Sequence, residues 1–121
     1  MMDKKTLVLV ASPKPYRYGY KAVEMLLDND MTVVAYGRRP GKIRDLNFTT
    51  ELSPIDDLHT ISLYLNPMNQ VPFYDYIASL NPKRVIFNPG TENKELQNML
   101  DSLKIEWEEA CTLVLLATKQ Y

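Results

Sequence analysis

Five short apolar runs, each followed by turn-forming residues, organise this chain. Thr6-Leu7-Val8-Leu9-Val10-Ala11 shows no polar alternation, which suits a strand covered on both faces in the middle of a parallel sheet. Thr32 to Tyr36, Ile61 to Leu65 and Arg84 to Phe87 have strand length and strand composition, and Ile105 to Glu108 alternates as an edge strand does. Between them the period changes to that of a helix. After Gly19, the positions Tyr20, Val23, Leu27 and Met31 recur at helical spacing, and Asp28-Asn29-Asp30 ends the run. A second helix is predicted from about Val71 to Leu80, with Pro72 in its first turn and Phe73, Ile77 and Leu80 inside. A third begins at a Thr91 cap and buries Leu96, Met99, Leu100 and Leu103. Leu52 to Leu58 predicts a short helix with Ser53 as cap and Pro54 at its first position. Cys111 to Gln120 reads as a C-terminal helix, since a strand there lacks a crossover long enough to join a parallel sheet. The sum is one α/β domain, a three-layer Rossmann-like doubly wound fold with a five-stranded parallel sheet in the order 3-2-1-4-5.

Parallel strands place their following turns on one side. Ser12-Pro13, Gly37-Arg38-Arg39, Asn66-Pro67 and Asn88-Pro89-Gly90 therefore share the carboxyl edge, where doubly wound sheets bind ligands. The first strand, loop and helix, Thr6 to Leu27, put a helix N-terminus above a strand end, a place suited to an anion. The turn lacks G-x-G-x-x-G; Ala11-Ser12-Pro13 with Gly19 permits a phosphate contact without demanding a dinucleotide, and an ordinary proline-containing loop is the alternative. After the second strand, NAD would want a carboxylate for its ribose hydroxyls, whereas Arg38 and Arg39 suit a ribose phosphate. NADP and coenzyme A remain, beside the plainer reading of a solvated basic loop. Asn66 and Asn88 are candidates to line a pocket or merely to end strands. Tyr16, Tyr18 and Tyr20 surround the first loop, where a ring stacks on a base or packs.

Length and charge narrow this further. At 121 residues the chain makes one domain, too short for a nucleotide domain plus a separate catalytic one. A net charge of -1 gives no general attraction to nucleic acid or an acidic membrane, so phosphate binding must come from a local cluster. Arg38 to Arg44 holds four cations and is the densest such cluster. The single cysteine, Cys111, excludes an intrachain disulfide and fits a reducing compartment, and the apolar runs are too short to span a bilayer; a cytoplasmic protein is expected. Chemistry-bearing residues are sparse. His59 has no evident partner, Cys111 reads as a small buried thiol, and Glu106, Glu108 and Glu109 read as a solvated edge, so binding is expected ahead of catalysis and no metal site is expected.

Ala11-Ser12-Pro13 to Val23, Asn88-Pro89-Gly90 and Glu109-Ala110-Cys111 together resemble the stand-alone CoA-binding domain proteins, relatives of the nucleotide-binding domain of the succinyl-CoA synthetase alpha subunit. The resemblance runs from Lys5 to about Thr118. It implies phosphates over the first turn and adenosine near the ends of the second and third strands. Ala11, Ser12 and Pro13 then match the phosphate turn, Arg17 to Tyr20 the entry to the first helix, and Asn66-Pro67 the third-strand turn. Two positions depart: family members often have Asn-Pro and a basic residue where Gly37-Arg38-Arg39 stands, and Asp45 lies near a usual glycine. The synthetase's phosphorylated histidine has no counterpart. The expected contacts to coenzyme A or a short acyl-CoA are Ala11, Ser12, Pro13, Lys14, Arg17, Tyr18, Gly37, Arg38, Arg39, Asn66, Pro67, Asn88, Pro89 and Gly90. NADP is the alternative ligand, and an interaction protein with a decayed nucleotide site is a third reading. Thr112 to Ala117 is apolar beyond what one buried helix face accounts for, and the remainder predicts a homodimer through that segment.

Overall fold

The computed structural model describes residues 2–121. Strands β1 (Thr6–Leu9), β2 (Val33–Tyr36), β5 (Thr60–Leu63), β6 (Arg84–Phe87) and β7 (Glu106–Glu109) form one parallel sheet, and β3 (Lys42–Ile43) and β4 (Leu46–Asn47) make a small antiparallel pair. Thr6 pairs with Val33 on one side and Thr60 on the other, and the register continues through Arg84 to Glu106. All five carboxyl ends thus point the same way. The helices are α1 (Tyr18–Asp28), α2 (Pro67–Gln70), α3 (Tyr74–Leu80), α4 (Lys94–Ser102) and α5 (Thr112–Ala117), with a 3-10 turn at Val71–Phe73 joining α2 to α3.

Strand alternation divides the core in two. Leu7, Leu9, Ile61, Leu63, Val85 and Phe87 face α3 and α4, meeting Ile77, Leu80, Leu96 and Leu100. Val8 and Ile86 point the other way, into a cluster with Val23 and Leu26 of α1 and Leu116 of α5. The second face also carries Thr6, Thr60, Ser62 and Arg84, all buried. Helix, sheet, helix is the three-layer arrangement that the spaced apolar runs predict.

The sheet order is β2-β1-β5-β6-β7. Counted along the chain, the five sheet strands run 2-1-3-4-5, so relative to 3-2-1-4-5 the third strand lies against β1 instead of outside β2. The outer edge of β2 is already occupied. Thr49 donates its N–H to the Ala35 carbonyl (2.9 Å) and accepts from the Gly37 N–H (3.0 Å), forming a parallel bridge beside Tyr36. The connection has no helix, and it folds into β3 and β4 where the sequence predicts a loop. The chain therefore reverses direction at β1, and the loops after β1 and β5 diverge to open a crevice.

Three local expectations change. No helix forms at Leu52 to Leu58; the Tyr76 hydroxyl binds the Ser53 carbonyl (2.6 Å) instead. The predicted Val71–Leu80 helix begins at Pro67, because Asn66 Oδ1 accepts from the Asn69 N–H (3.0 Å) and Pro67 suits the first helical position. Asn93, not Thr91, caps α4 through its side-chain oxygen to Leu96 N–H (3.2 Å). In α5, Thr112 and Leu116 are buried, Leu113 and Leu115 are half-buried, and Val114 stays 56% exposed. The run rests on the same cluster as α1, and Val114 and Ala117 are its exposed apolar residues.

Buried amides tie the carboxyl-edge loops together. Asn88 donates to the Ser62 hydroxyl (2.9 Å) and the Leu63 carbonyl (2.8 Å), and its oxygen accepts from the Thr112 N–H (2.8 Å). Its own carbonyl accepts from the Thr91 N–H and hydroxyl. Gln70, fully buried, bridges the Leu65 carbonyl (2.9 Å) and the Thr91 carbonyl (2.8 Å) and accepts from Asn93 (2.8 Å). Among the described residues no helix is long and apolar enough to cross a membrane.

Two predictions follow from these contacts. Asn88→Leu keeps the branched shape but strands a donor and two acceptors, so denaturant unfolding should show a loss of about 2 to 4 kcal/mol; a loss under about 0.5 kcal/mol would mean that Asn88 does not hold the edge. His59, at the opposite edge, is held below its ordinary value of 6.5 by burial first, then by the charges of Arg84, Lys4 and Lys83. The unfolded chain then binds the extra proton more readily, so stability should fall as pH drops below 6.5. His59→Gln should flatten that part of the stability-pH curve, and an unchanged slope would refute the assignment.

Candidate functional site

An open cleft of ≈ 450 Å³ lies at the carboxyl edge, between the ends of β1, β5 and β6 and the start of α1. Its position is the topological switch point. The wall from the first strand is Val10, Ala11 and Ser12, and Ala11 is fixed by its N–H to the Tyr36 carbonyl (2.6 Å). The following loop closes locally: Ser12 Oγ accepts from the Lys14 N–H (3.2 Å), and the Arg17 N–H reaches the Lys14 carbonyl (3.0 Å). Gly19 lets α1 approach the strand end. A Cβ there would stand 3.2 Å from the Val10 carbonyl oxygen and 3.6 Å from Ala11 Cα, so a side chain would fit only if the backbone gave way slightly.

The start of α1 is electrostatically open. Its N-cap residue, Arg17, has extended backbone and makes no side-chain capping bond, and the first turn contains no acidic residue. The unpaired N–H groups and the helix dipole are therefore not neutralised by the chain itself, a gain of about 0.3 to 1 kcal/mol for an anion placed there. Lys14, Arg17 and Arg38 line the same cleft, and its lining contains no carboxylate. Every electrostatic element favours a polyanion. Lys21 lies over the Tyr18 ring at 5.4 Å and Arg17 over Tyr16 at 5.6 Å; both rings are two-thirds exposed, and Tyr18 lines the cleft.

Of the residues predicted from sequence, Ala11, Ser12, Lys14, Arg17, Tyr18, Arg38, Asn66, Pro89 and Gly90 line this cleft. Five take other places. Pro13 faces Gly41; Gly37 accommodates the Phe48 ring, which would stand 2.6 Å from a Cβ; Arg39 is exposed to solvent; Pro67 starts α2; Asn88 is buried in the hydrogen-bond network. The basic segment also divides, because Arg44 pairs with Asp28 (2.8 Å) and Glu24 (3.5 Å) on α1. Arg38 alone of that segment reaches the cleft.

Gly19, Tyr64, Leu65, Asn69 and Thr91 join the lining without having been singled out as contacts. Tyr64 and Leu65 read as strand, yet β5 ends at Leu63 and leaves both in the loop. The Tyr64 hydroxyl is buried with no hydrogen-bond partner among the described residues. Burial pushes it up to about 12, against an opposing effect of the Ser62 and Thr112 hydroxyls, so it stays a neutral phenol. Next to the cleft, and sharing Tyr18, Tyr64 and Pro89 with it, is a smaller pocket of ≈ 200 Å³ that reaches Cys111, which is half-buried rather than buried.

A larger depression of ≈ 1380 Å³ lies at the amino edge. It mixes Asp3, Asp56, Asp57 and Glu106 with Lys5, Lys83 and Lys104, and that balance does not suit a polyanion. Among the described residues no group of three or more histidine, cysteine or carboxylate side chains is placed to hold a metal.

The comparisons with known proteins agree with this geometry. A crystal structure of an uncharacterized protein is 43% identical over the whole of both chains, with a TM-score of 0.97. A hypothetical protein from Pyrococcus horikoshii OT3 (22% identity, 91% of this chain and 78% of that one, TM-score 0.77) shares the fold. So does a protein from Thermus thermophilus (17% identity, 98% and 91%, TM-score 0.82). No curated protein matches the chain. The family model described as "CoA binding domain" matches residues 4–117, and the chain, with a cation-lined cleft at the switch point of a Rossmann-like sheet, belongs to the CoA-binding domain family.

Proposed function

We propose that the protein binds coenzyme A, free or as a short acyl thioester, at the carboxyl edge of its sheet and does not turn it over. One observation carries this reading: an uncapped, acid-free helix N-terminus and three cations converge on a cleft whose lining holds no carboxylate. The diphosphate sits against the first turn of α1 and the Ser12 loop, where Gly19 lets backbone approach closely. Lys14 and Arg17 flank it. Arg38, at the end of β2, meets the phosphate on the adenosine ribose. Binding without chemistry fits the side chains available: the cleft lining contains no histidine, cysteine or carboxylate to act as nucleophile or base. NADP also carries a ribose phosphate, but the family match speaks for coenzyme A.

Calorimetry on paired ligands tests the assignment. Coenzyme A should bind more tightly than dephospho-CoA by about 1 kcal/mol, near fivefold, since exposed Arg38 makes a solvent-screened contact. Arg38→Ala should erase that difference and leave dephospho-CoA unaffected. Arg17→Glu, placing a carboxylate at the helix start, should weaken both ligands together. Equal affinities in the unaltered protein would remove Arg38 from the site, and tighter binding of NADPH than of coenzyme A would replace the proposal.

A further inference from the structure

The small pocket beside the cleft has a composition that the phosphate-binding reading does not use. It measures ≈ 200 Å³ and is walled by Tyr18, Tyr64, Asn88, Pro89, Cys111 and Leu113. Its one amide is already committed, since both Asn88 N–H bonds and its oxygen are engaged by Ser62, Leu63 and Thr112. No cation lines it. The remaining polar groups are the phenols of Tyr18 and Tyr64 and the Cys111 thiol, so the pocket accepts apolar matter and rejects charge. Volume sets the size of the guest. At the share of space that a water takes in the liquid, 200 Å³ holds about seven water-sized groups.

The sheet order sets its direction from the phosphates. Arg38 follows β2 at one end of the row, α1 begins beside β1, and the pocket lies beyond β6 where the chain enters α5. With strands about 4.8 Å apart, the four spacings from β2 to β7 span about 19 Å. A ligand with ribose phosphate at Arg38 and diphosphate on α1 sends its arm across β5 and β6 toward Cys111. Tyr18, Tyr64 and Pro89 belong to both cavities, so the passage is continuous.

We propose that this pocket receives the thioester end of the coenzyme and selects short, uncharged acyl groups of about two to four carbons over dicarboxylic ones. The proposal rests on the cleft being a coenzyme A site. A buried carboxylate would find no cation in the pocket, whereas each added methylene up to the pocket's capacity gains about fourfold in affinity.

Titration of the unaltered protein with acetyl-, butyryl- and succinyl-CoA, and with adenosine 3',5'-bisphosphate, provides the test. Butyryl-CoA should bind about fifteenfold tighter than acetyl-CoA, and succinyl-CoA weaker than either. Cys111 gives an independent reading: saturating butyryl-CoA should slow its alkylation by a maleimide at least fivefold, while adenosine 3',5'-bisphosphate, lacking the arm, should leave the rate unchanged. Leu113→Trp should abolish the butyryl preference and leave the bisphosphate affinity intact. Equal binding of all three thioesters, or bound butyryl-CoA without protection of Cys111, overturns the pocket assignment alone. Failure of every coenzyme A species to bind overturns it together with the reading of the cleft.

Discussion

The hydrogen bonds of Asn88 are the constraint on which the carboxyl edge depends. A ligand-binding edge needs irregular backbone with free N–H groups, yet irregular backbone beside a core must have its polar groups satisfied. Here a buried side-chain amide supplies what a sheet ladder cannot. Asn88 joins the end of β6 to β5 and to the first residue of α5, and Gln70 repeats the device between the loops after β5 and β6. Both amides use donors and acceptors together, so neither can be replaced by a residue that is only apolar or only charged. The loops around the cleft are held by the polar interior, and the N-terminus of α1 is left free for an anion.

What was legible in the sequence follows from how many residues share a signal. The uninterrupted run at Thr6 to Ala11 and the helical spacing after Gly19 repeat over several positions, and both give the element type expected, with β1 ending at Leu9 and α1 burying Gly19, Ala22, Val23 and Leu26. The order of the strands has no such repetition. It turns on Thr49 taking the free edge of β2 through two backbone bonds, which any residue type could make. The two-residue strands β3 and β4 are likewise too short to show a period. For the site, the turns after the strands were legible because parallel strands force them onto one edge. The division of the basic segment was not, since only the fold brings Arg44 to Asp28 and Glu24. Gln70 shows the deepest limit: it stands just before the helix predicted from Val71 with nothing to single it out, and only partners from the two loops after β5 and β6 explain its full burial.

Charge is distributed here by position rather than by total. The chain is nearly neutral, yet the cleft at the carboxyl edge is lined by three cations and no carboxylate, while the depression at the opposite edge mixes both signs. Steering toward a polyanion can therefore act over about 10 Å, the distance at which salt screens, without making the whole surface adhesive to nucleic acid. Arg44 contributes by its absence from the cleft. Its ion pairs clip the β3–β4 hairpin to α1 and neutralise the acids of that helix at the end away from the ligand.

The polar row on one face of the sheet has a mechanical meaning. Thr6 meets the Tyr121 hydroxyl (2.6 Å), Ser62 meets the Thr112 hydroxyl (2.8 Å), and Arg84 reaches the Tyr121 carbonyl (2.8 Å). A helix of six residues has no stability of its own, and against a greasy surface it could slip by a turn at little cost. Hydrogen bonds are directional, so this row works as a keyway: Thr112 at the start of α5 and Tyr121 beyond its end hold the helix at one axial position. The wall that α5 gives the small pocket is thereby indexed to the sheet, and its shape is as repeatable as the strands beneath it.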